Sequence, residues 1–272
     1  MTRTILMTGA GGQVGAMLRP LLLARYGRLI LSDRAEPADM AVGESFRAAD
    51  LADGEALRAA CRGVEGVIHL GGQSVEAPWP AVRDANVEGL VTLFEAARAE
   101  GVKRVVFASS NHAVGMYPRT RRIDAETRPR PDSFYGLSKV FGEALGALYA
   151  DKFGLRCLSI RIGNVAPAPA DLRRLSIWIH PEDLVQLCAI GLEHPDLHHE
   201  VVYGVSDNAR GFWDNAAAFR LGYRPRHRGE DHAAAVLAAD AGRTPDPVGD
   251  LLQGGGFCSD GFAGDLERTL WD

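Results

Sequence analysis

No window of the sequence reaches the roughly 18 consecutive apolar residues that a membrane-crossing helix requires, so no membrane span is expected. The N-terminus lacks the basic region, apolar stretch and cleavage site of an export signal, which makes the cytoplasm the expected location. Cysteine is scarce: Cys61, Cys157, Cys188 and Cys258 are widely scattered, with neither metal-ligand spacing nor a disulfide framework. They read as buried thiols in a reducing compartment. Basic residues are not in excess either, and a formal net charge of -5 excludes a broad nucleic-acid surface. Arg119, Arg121, Arg122, Arg128 and Arg130 cluster, but prolines and acids among them indicate a solvated loop. His112 has no second His or Cys at metal spacing, so no metal site is expected. Internal repeats and low-complexity linkers are also missing.

What is present is a globular balance, 46% hydrophobic and 24% charged residues over 272 positions. Apolar runs at 4–8, 29–32, 66–70, 104–108 and 157–161 read as buried strands. Amphipathic stretches at 15–25, 87–99 and 135–153 read as helices between them. Continuous apolar strands divided by helices predict a doubly wound parallel α/β sheet, Rossmann-type. Beyond Gly163 the pattern loosens: a proline-rich loop at 165–170, a helix at 181–191, a strand at 201–204 and a short helix at 214–221. From about Arg226 the tail is only weakly periodic. A single domain is expected, with a dinucleotide-binding core at about 1–163 and a small substrate lobe at about 164–272.

The motif Thr8-Gly9-Ala10-Gly11-Gly12-Gln13-Val14-Gly15 follows the first strand and opens the first helix, the context that a dinucleotide fingerprint requires. Gly9 permits the tight turn, Gly12 lets the backbone approach a pyrophosphate, and Gly15 allows close helix packing. Phosphates would then meet the unpaired N–H groups of a helix N-terminus. Asp33, about 20 residues on, can accept from the adenosine ribose and would repel a 2′-phosphate, which favours NAD. Arg34 beside it is a group that could accommodate NADP instead. Asp50 and Leu51 end a possible third strand and are candidates for adenine contact.

Tyr135 and Lys139 are four apart and share one helix face. A cationic lysine would draw the tyrosine pKa down and make it a usable general base. Ser109 and Ser110 close the strand before them, at the sheet edge where ligands bind, and Ser110 could polarise the reacting oxygen. For Asn86 two readings stand, a structural helix residue or the support of a water beside Lys139.

Thr8 to Gly15, Asn86 and Tyr135 to Lys139 together resemble the extended short-chain dehydrogenase/reductase family. His69-Leu70-Gly71-Gly72, Phe107-Ala108-Ser109-Ser110-Asn111-His112, Arg161-Ile162-Gly163 and Phe212-Trp213-Asp214-Asn215 resemble its uronate dehydrogenase branch, over about residues 4–225. That resemblance implies NAD-dependent oxidation of D-glucuronate and D-galacturonate at C1 to the aldarolactone. It implies cofactor contacts from Gly9, Gly12, Gln13, Val14, Gly15, Asp33, Asp50, Leu51, Leu70, Gly71, Gly72, Asn86, Tyr135 and Lys139. It further implies substrate contacts from Ser74, Ser110, Asn111, His112 and Arg173, with Asn164 where serine is expected. A longer amide there changes reach and donor pattern.

From the residues alone, Asn111 and His112 follow a strand end and can face the ligand crevice. Arg173 and Arg174 lie past a proline-rich loop; such a pair usually sits on the surface, yet a carboxylate clamp would be useful there. Trp178 and Trp213 read as packing residues. A nucleotide-sugar epimerase or dehydratase shares the cofactor half and the Tyr-Lys pair, but usually needs a larger C-terminal lobe. A cofactor-sensing regulator without chemistry has no need of Tyr135, Lys139 and Ser110. The expected partner is a small uronic acid, with a homo-oligomer possible.

Overall fold

The computed structural model describes residues 3–271. Its core is one seven-stranded, all-parallel sheet. The strands are β1 (Ile5–Thr8), β2 (Leu29–Ser32), β3 (Glu44–Phe46), β4 (Gly66–His69), β5 (Arg104–Ser110), β6 (Arg156–Ile162) and, after a separate parallel pair β7 (Asn164–Val165) and β8 (Trp178–Ile179), β9 (His199–Gly204). Every residue of β1, β2 and β4 is buried, as strands covered on both faces must be.

Helices α1 (Gln13–Tyr26), α2 (Gly54–Cys61), α3 (Trp79–Val82), α4 (Gly89–Ala99), α5 (Phe134–Phe153), α6 (Arg174–Ile177) and α7 (Pro181–Glu193) accompany the sheet. Leu18, Leu22, Leu184, Leu187 and Cys188 of α1 and α7 pack on one face. Leu57, Leu93, Phe94, Leu145 and Tyr149 of α2, α4 and α5 pack on the other. Each such side chain, fully buried, contributes about 1.5–3 kcal/mol.

The strand order β3-β2-β1-β4-β5-β6-β9 reverses direction between β1 and β4, which opens a crevice at the carboxyl ends of those strands. Residues 181–204 return to this core, because α7 packs beside α1 and β9 pairs with β6. The rest of the C-terminal part holds the β7–β8 pair and the short helices α8 (Ala216–Arg220), α9 (Ala233–Ala239), α10 (Gly256–Ser259) and α11 (Leu266–Trp271).

Several elements depart from the sequence reading. The third strand ends at Phe46, so Asp50 and Leu51 lie in the loop beyond it rather than at its tip. Glu44 and Ser45 precede Phe46 in that edge strand, so no apolar run marked it. The helix expected at 87–99 begins at Trp79 and passes through a π-helical stretch, Arg83–Glu88, before α4. Arg119 is only partly solvated: its guanidinium donates to the carbonyls of Leu252 (3.0 Å) and Gly249 (2.6 Å) in the tail, whereas Arg121, Arg122 and Arg128 are exposed. Trp178 and Trp213 are buried, as read. Among the described residues no helix is long and apolar enough to cross a membrane.

Candidate active site

A cavity of about 860 Å³ fills the crevice. Its floor is the glycine turn between β1 and α1. Gly9 sits at φ 70°, and a Cβ there would lie 2.5 Å from the backbone nitrogen of Gly71, so the two loops touch only because Gly9 is bare. Gly72, at φ 116°, is held the same way, with Asn86 Oδ1 at 2.4 Å from where its Cβ would be. Gly12 caps α1 with no side-chain hydrogen bond, which leaves the first N–H groups of the helix open for an anion. Gly9, Gly12, Gln13, Val14, Gly15, Leu70, Gly71 and Gly72 all line this floor.

Asp33, Arg34, Asp50 and Leu51 line the adenosine end of the cavity expected from the sequence. Asp33 is oriented by two backbone donors, Gly11 N (3.0 Å) and Arg34 N (2.8 Å). Bare glycines, an open helix terminus, an oriented carboxylate and the cavity's volume together fit a dinucleotide.

Ser110, Tyr135, Lys139, Ser74 and Asn164 line the other end. Ser133 caps α5 by accepting from Gly136 N (3.0 Å), and the first turn then presents Tyr135. Glu76 accepts from Phe134 N (3.2 Å) and Tyr135 N (2.7 Å), so the loop after β4 is fastened to that turn. Lys139 Nζ donates to Ala108 O (2.9 Å) and lies 5.2 Å from the Tyr135 ring centre.

Burial dominates both groups. It pushes the Tyr135 phenol up to about 12, opposed by its contact with Ser110, and the Lys139 ammonium down to about 8. The expected lowering of Tyr135 by Lys139 is not found: burial raises the phenol, and the contact that lowers it is with Ser110. Ser109 and Ser110 point apart, as strand neighbours must. Ser109 donates to buried Glu143 (2.6 Å), whereas Ser110 caps the 3₁₀ turn Asn111–Val114 through His112 N (3.2 Å).

Asn86, Asn111, His112 and Arg173 are not among the residues that line this cavity. Asn86, in the π-helical stretch, accepts from Gln73 N (2.7 Å) and donates to Gln73 O (2.9 Å) and Ser138 Oγ (3.0 Å). It thus ties the glycine loop to α5. Asn111 donates to Ile162 O (3.2 Å) and accepts from Arg173 Nη2 (2.8 Å). Arg173 Nε donates to Gln253 O (2.8 Å). Both partners are neutral, and among the described residues no carboxylate pairs with this guanidinium; burial lowers it to about 10. His112 Nδ1 is 2.7 Å from Asp132 Oδ2, and its ring stacks on Phe257 at 3.9 Å with Tyr135 5.8 Å away.

Asp132, Phe257 and Gln253 escaped the sequence reading. Phe257 and Gln253 sit in the aperiodic tail, and nothing local marks them. Asp132 precedes the α5 cap, where an acid is commonly only a helix-terminus residue.

A parallel sheet with a glycine turn at its switch point, and a Tyr-x-x-x-Lys pair facing the same cleft, defines a dinucleotide-dependent enzyme of the short-chain type. Residues 5–174 match the model of the NAD dependent epimerase/dehydratase family, and the chain belongs to that family. Among curated relatives, uronate dehydrogenase from Pseudomonas syringae pv. tomato is 44% identical over 263 residues, 96% of this chain and 95% of that protein. The crystal structure of a glucuronic acid dehydrogenase from Chromohalobacter salexigens superposes with a TM-score of 0.91 at 41% identity, covering 98% of this chain and 99% of that one. A mutant uronate dehydrogenase from Agrobacterium tumefaciens complexed with NAD gives a TM-score of 0.89 at 39% identity, covering 94% and 97%.

Proposed function

We propose that the chain is an NAD-dependent uronate dehydrogenase that oxidises D-glucuronate or D-galacturonate at C1 to the aldarolactone. NAD, when bound, supplies the hydride acceptor. Gly9, Gly12, Gln13, Val14 and Gly15 would hold its pyrophosphate and Asp33 its adenosine ribose, with Asp50, Leu51, Leu70, Gly71 and Gly72 along the cleft. Lys139 would bind the nicotinamide ribose. Tyr135 takes the proton of the C1 hydroxyl, and Ser110 donates to the same oxygen and keeps it near the phenol. Ser74, Asn111, His112 and Asn164 would surround the sugar. Four buried free cysteines suit the cytoplasm, and assembly with like chains is part of the same reading.

The observation that carries the uronate reading is Arg173, a desolvated guanidinium with only neutral partners. A buried charge with no carboxylate in direct contact is costly, so an anionic ligand completes the site. Guanidinium also meets a carboxylate with two parallel hydrogen bonds. Removing one partner of such a pair costs about 2–5 kcal/mol. The test is NADH production from free uronic acids with the native protein and with Arg173→Ala. The native enzyme should turn over uronates far better than glucose. In Arg173→Ala, kcat/KM for glucuronate should fall about 30-fold or more, largely through KM, while residual glucose turnover holds. A native protein inactive on every uronate would overturn the activity, and an unchanged glucuronate KM would overturn the clamp.

A further inference from the structure

Asp132 is held more tightly than a helix-terminus acid needs to be. Its side chain is fully sealed from solvent. Oδ1 accepts from Ser133 Oγ (2.7 Å), and Oδ2 faces His112 Nδ1 (2.7 Å). The backbone repeats the link, with Asp132 N donating to His112 O (3.3 Å). Three segments contribute a glycine to make room: a Cβ at Gly115 would stand 1.8 Å from Oδ2, one at Gly254 2.0 Å from it, and one at Gly136 3.2 Å from Oδ1.

An ionised carboxylate can only accept, so the imidazole nitrogen facing it must carry the hydrogen. The neutral ring then has its lone pair on Nε2, and no described residue uses that atom. Phe257, stacked on one face of the ring, and Tyr135 at its edge keep the imidazole from turning over.

We propose that Asp132 is a positioning residue that fixes the Nδ1–H tautomer of His112 and so presents Nε2 as a hydrogen-bond acceptor to a hydroxyl of the sugar. This rests on the reading that His112 meets the substrate. It divides the labour of recognition: Arg173 reads the carboxylate, and His112 reads a hydroxyl donor. Were the tautomer reversed, Nε2–H would face a hydroxyl that can still rotate, but the buried carboxylate would face a bare nitrogen, which is the costlier arrangement.

Steady-state kinetics with glucuronate and NAD test this in five proteins: native, Asp132→Ala, Asp132→Asn, His112→Phe and the Asp132→Ala/His112→Phe double variant. Asp132→Ala should raise the glucuronate KM about tenfold, the value of one hydrogen bond, and leave the NAD KM alone. Asp132→Asn, whose carbonyl can still accept from Nδ1 while its amide donates to Ser133 Oγ, should recover most of that loss. In the His112→Phe background the Asp132→Ala change should add less than about twofold, because nothing remains to position. An equal penalty in both backgrounds makes Asp132 merely structural and overturns the proposal. If instead His112→Phe alone leaves the glucuronate KM unchanged, it is the contact between His112 and the sugar that fails. Imidazole ¹⁵N shifts of His112 in the native protein at alkaline pH give an answer that needs no variant to fold. Nδ1 protonated and Nε2 bare is the expected result, and the opposite tautomer overturns the assignment.

Discussion

Burial moves Tyr135 and Lys139 in opposite directions, and the pH dependence follows from the signs. With the phenol held up to about 12, Tyr135 is protonated at neutral pH, and the fraction able to take a proton grows as pH rises. Lys139, brought down to about 8, is a cation below that pH and loses its charge above it. That charge is what favours a phenolate nearby. The kcat/KM profile should therefore climb from pH 6 and flatten as pH passes about 8, read from initial rates of NADH formation. Tyr135→Phe keeps the ring and removes the acceptor, so kcat should fall by roughly 10²–10⁴-fold. A phenylalanine enzyme with near-native turnover would remove Tyr135 from the chemistry.

Asp33, oriented by Gly11 and Arg34 amides, should make NADP a poor cofactor, since a 2′-phosphate would meet a fixed carboxylate in a poorly screened cleft. Kinetics with both cofactors decide it, and equal efficiency would mean that Arg34 governs. At this scale the places of the glycines, Asp33, Tyr135 and Lys139 along the cavity were legible because each sits at a fixed offset from a strand or helix end. Asp132 and Phe257 were not, because their partners lie 20 and 145 residues away, and no local spacing encodes such contacts.

Among elements, α5 has the most to do. Ser133 caps it, Glu76 binds its first turn, Asn86 meets Ser138 on its flank, and Lys139 reaches across to β5. Ser133→Ala should cost about 1 kcal/mol of stability, which for a chain of this length lowers Tm by about 2–4 °C. A thermal melt with no shift would mean that Glu76 alone suffices to satisfy the turn. The strands of the central sheet were readable because burial on both faces forces continuous apolar runs. The edge strand β3 and the helix α2 were not: three half-exposed residues make no run, and a helix of eight residues is set more by its Asp53 cap than by periodicity.

For the whole molecule, the tail is the surprise. Gln253 is fully buried and donates to Pro118 O (3.0 Å) and Arg121 O (2.8 Å), while accepting from Trp213 Nε1 (2.7 Å). Its own carbonyl holds Arg173. Gln253→Leu strands the buried Trp213 Nε1–H, at about 1–3 kcal/mol, and takes a donor from the carbonyls of Pro118 and Arg121, so stability should drop. Denaturant unfolding should show a lower midpoint, and the surviving folded fraction should have a raised glucuronate KM with NAD binding intact. An unaltered midpoint would mean that the tail merely rests on the core.

The tail's placement also sets an order of events during synthesis. The fingerprint turn, Asp33 and the Tyr135 helix leave the ribosome well before the segment that packs on them; Cys258 meets Gly115 across 143 residues of chain. The residues that line the cavity all lie between Thr8 and Val165, so they are synthesised before the segment that closes the wall behind His112. Completion of the wall behind His112 thus waits on a segment that lies 143 residues beyond Gly115.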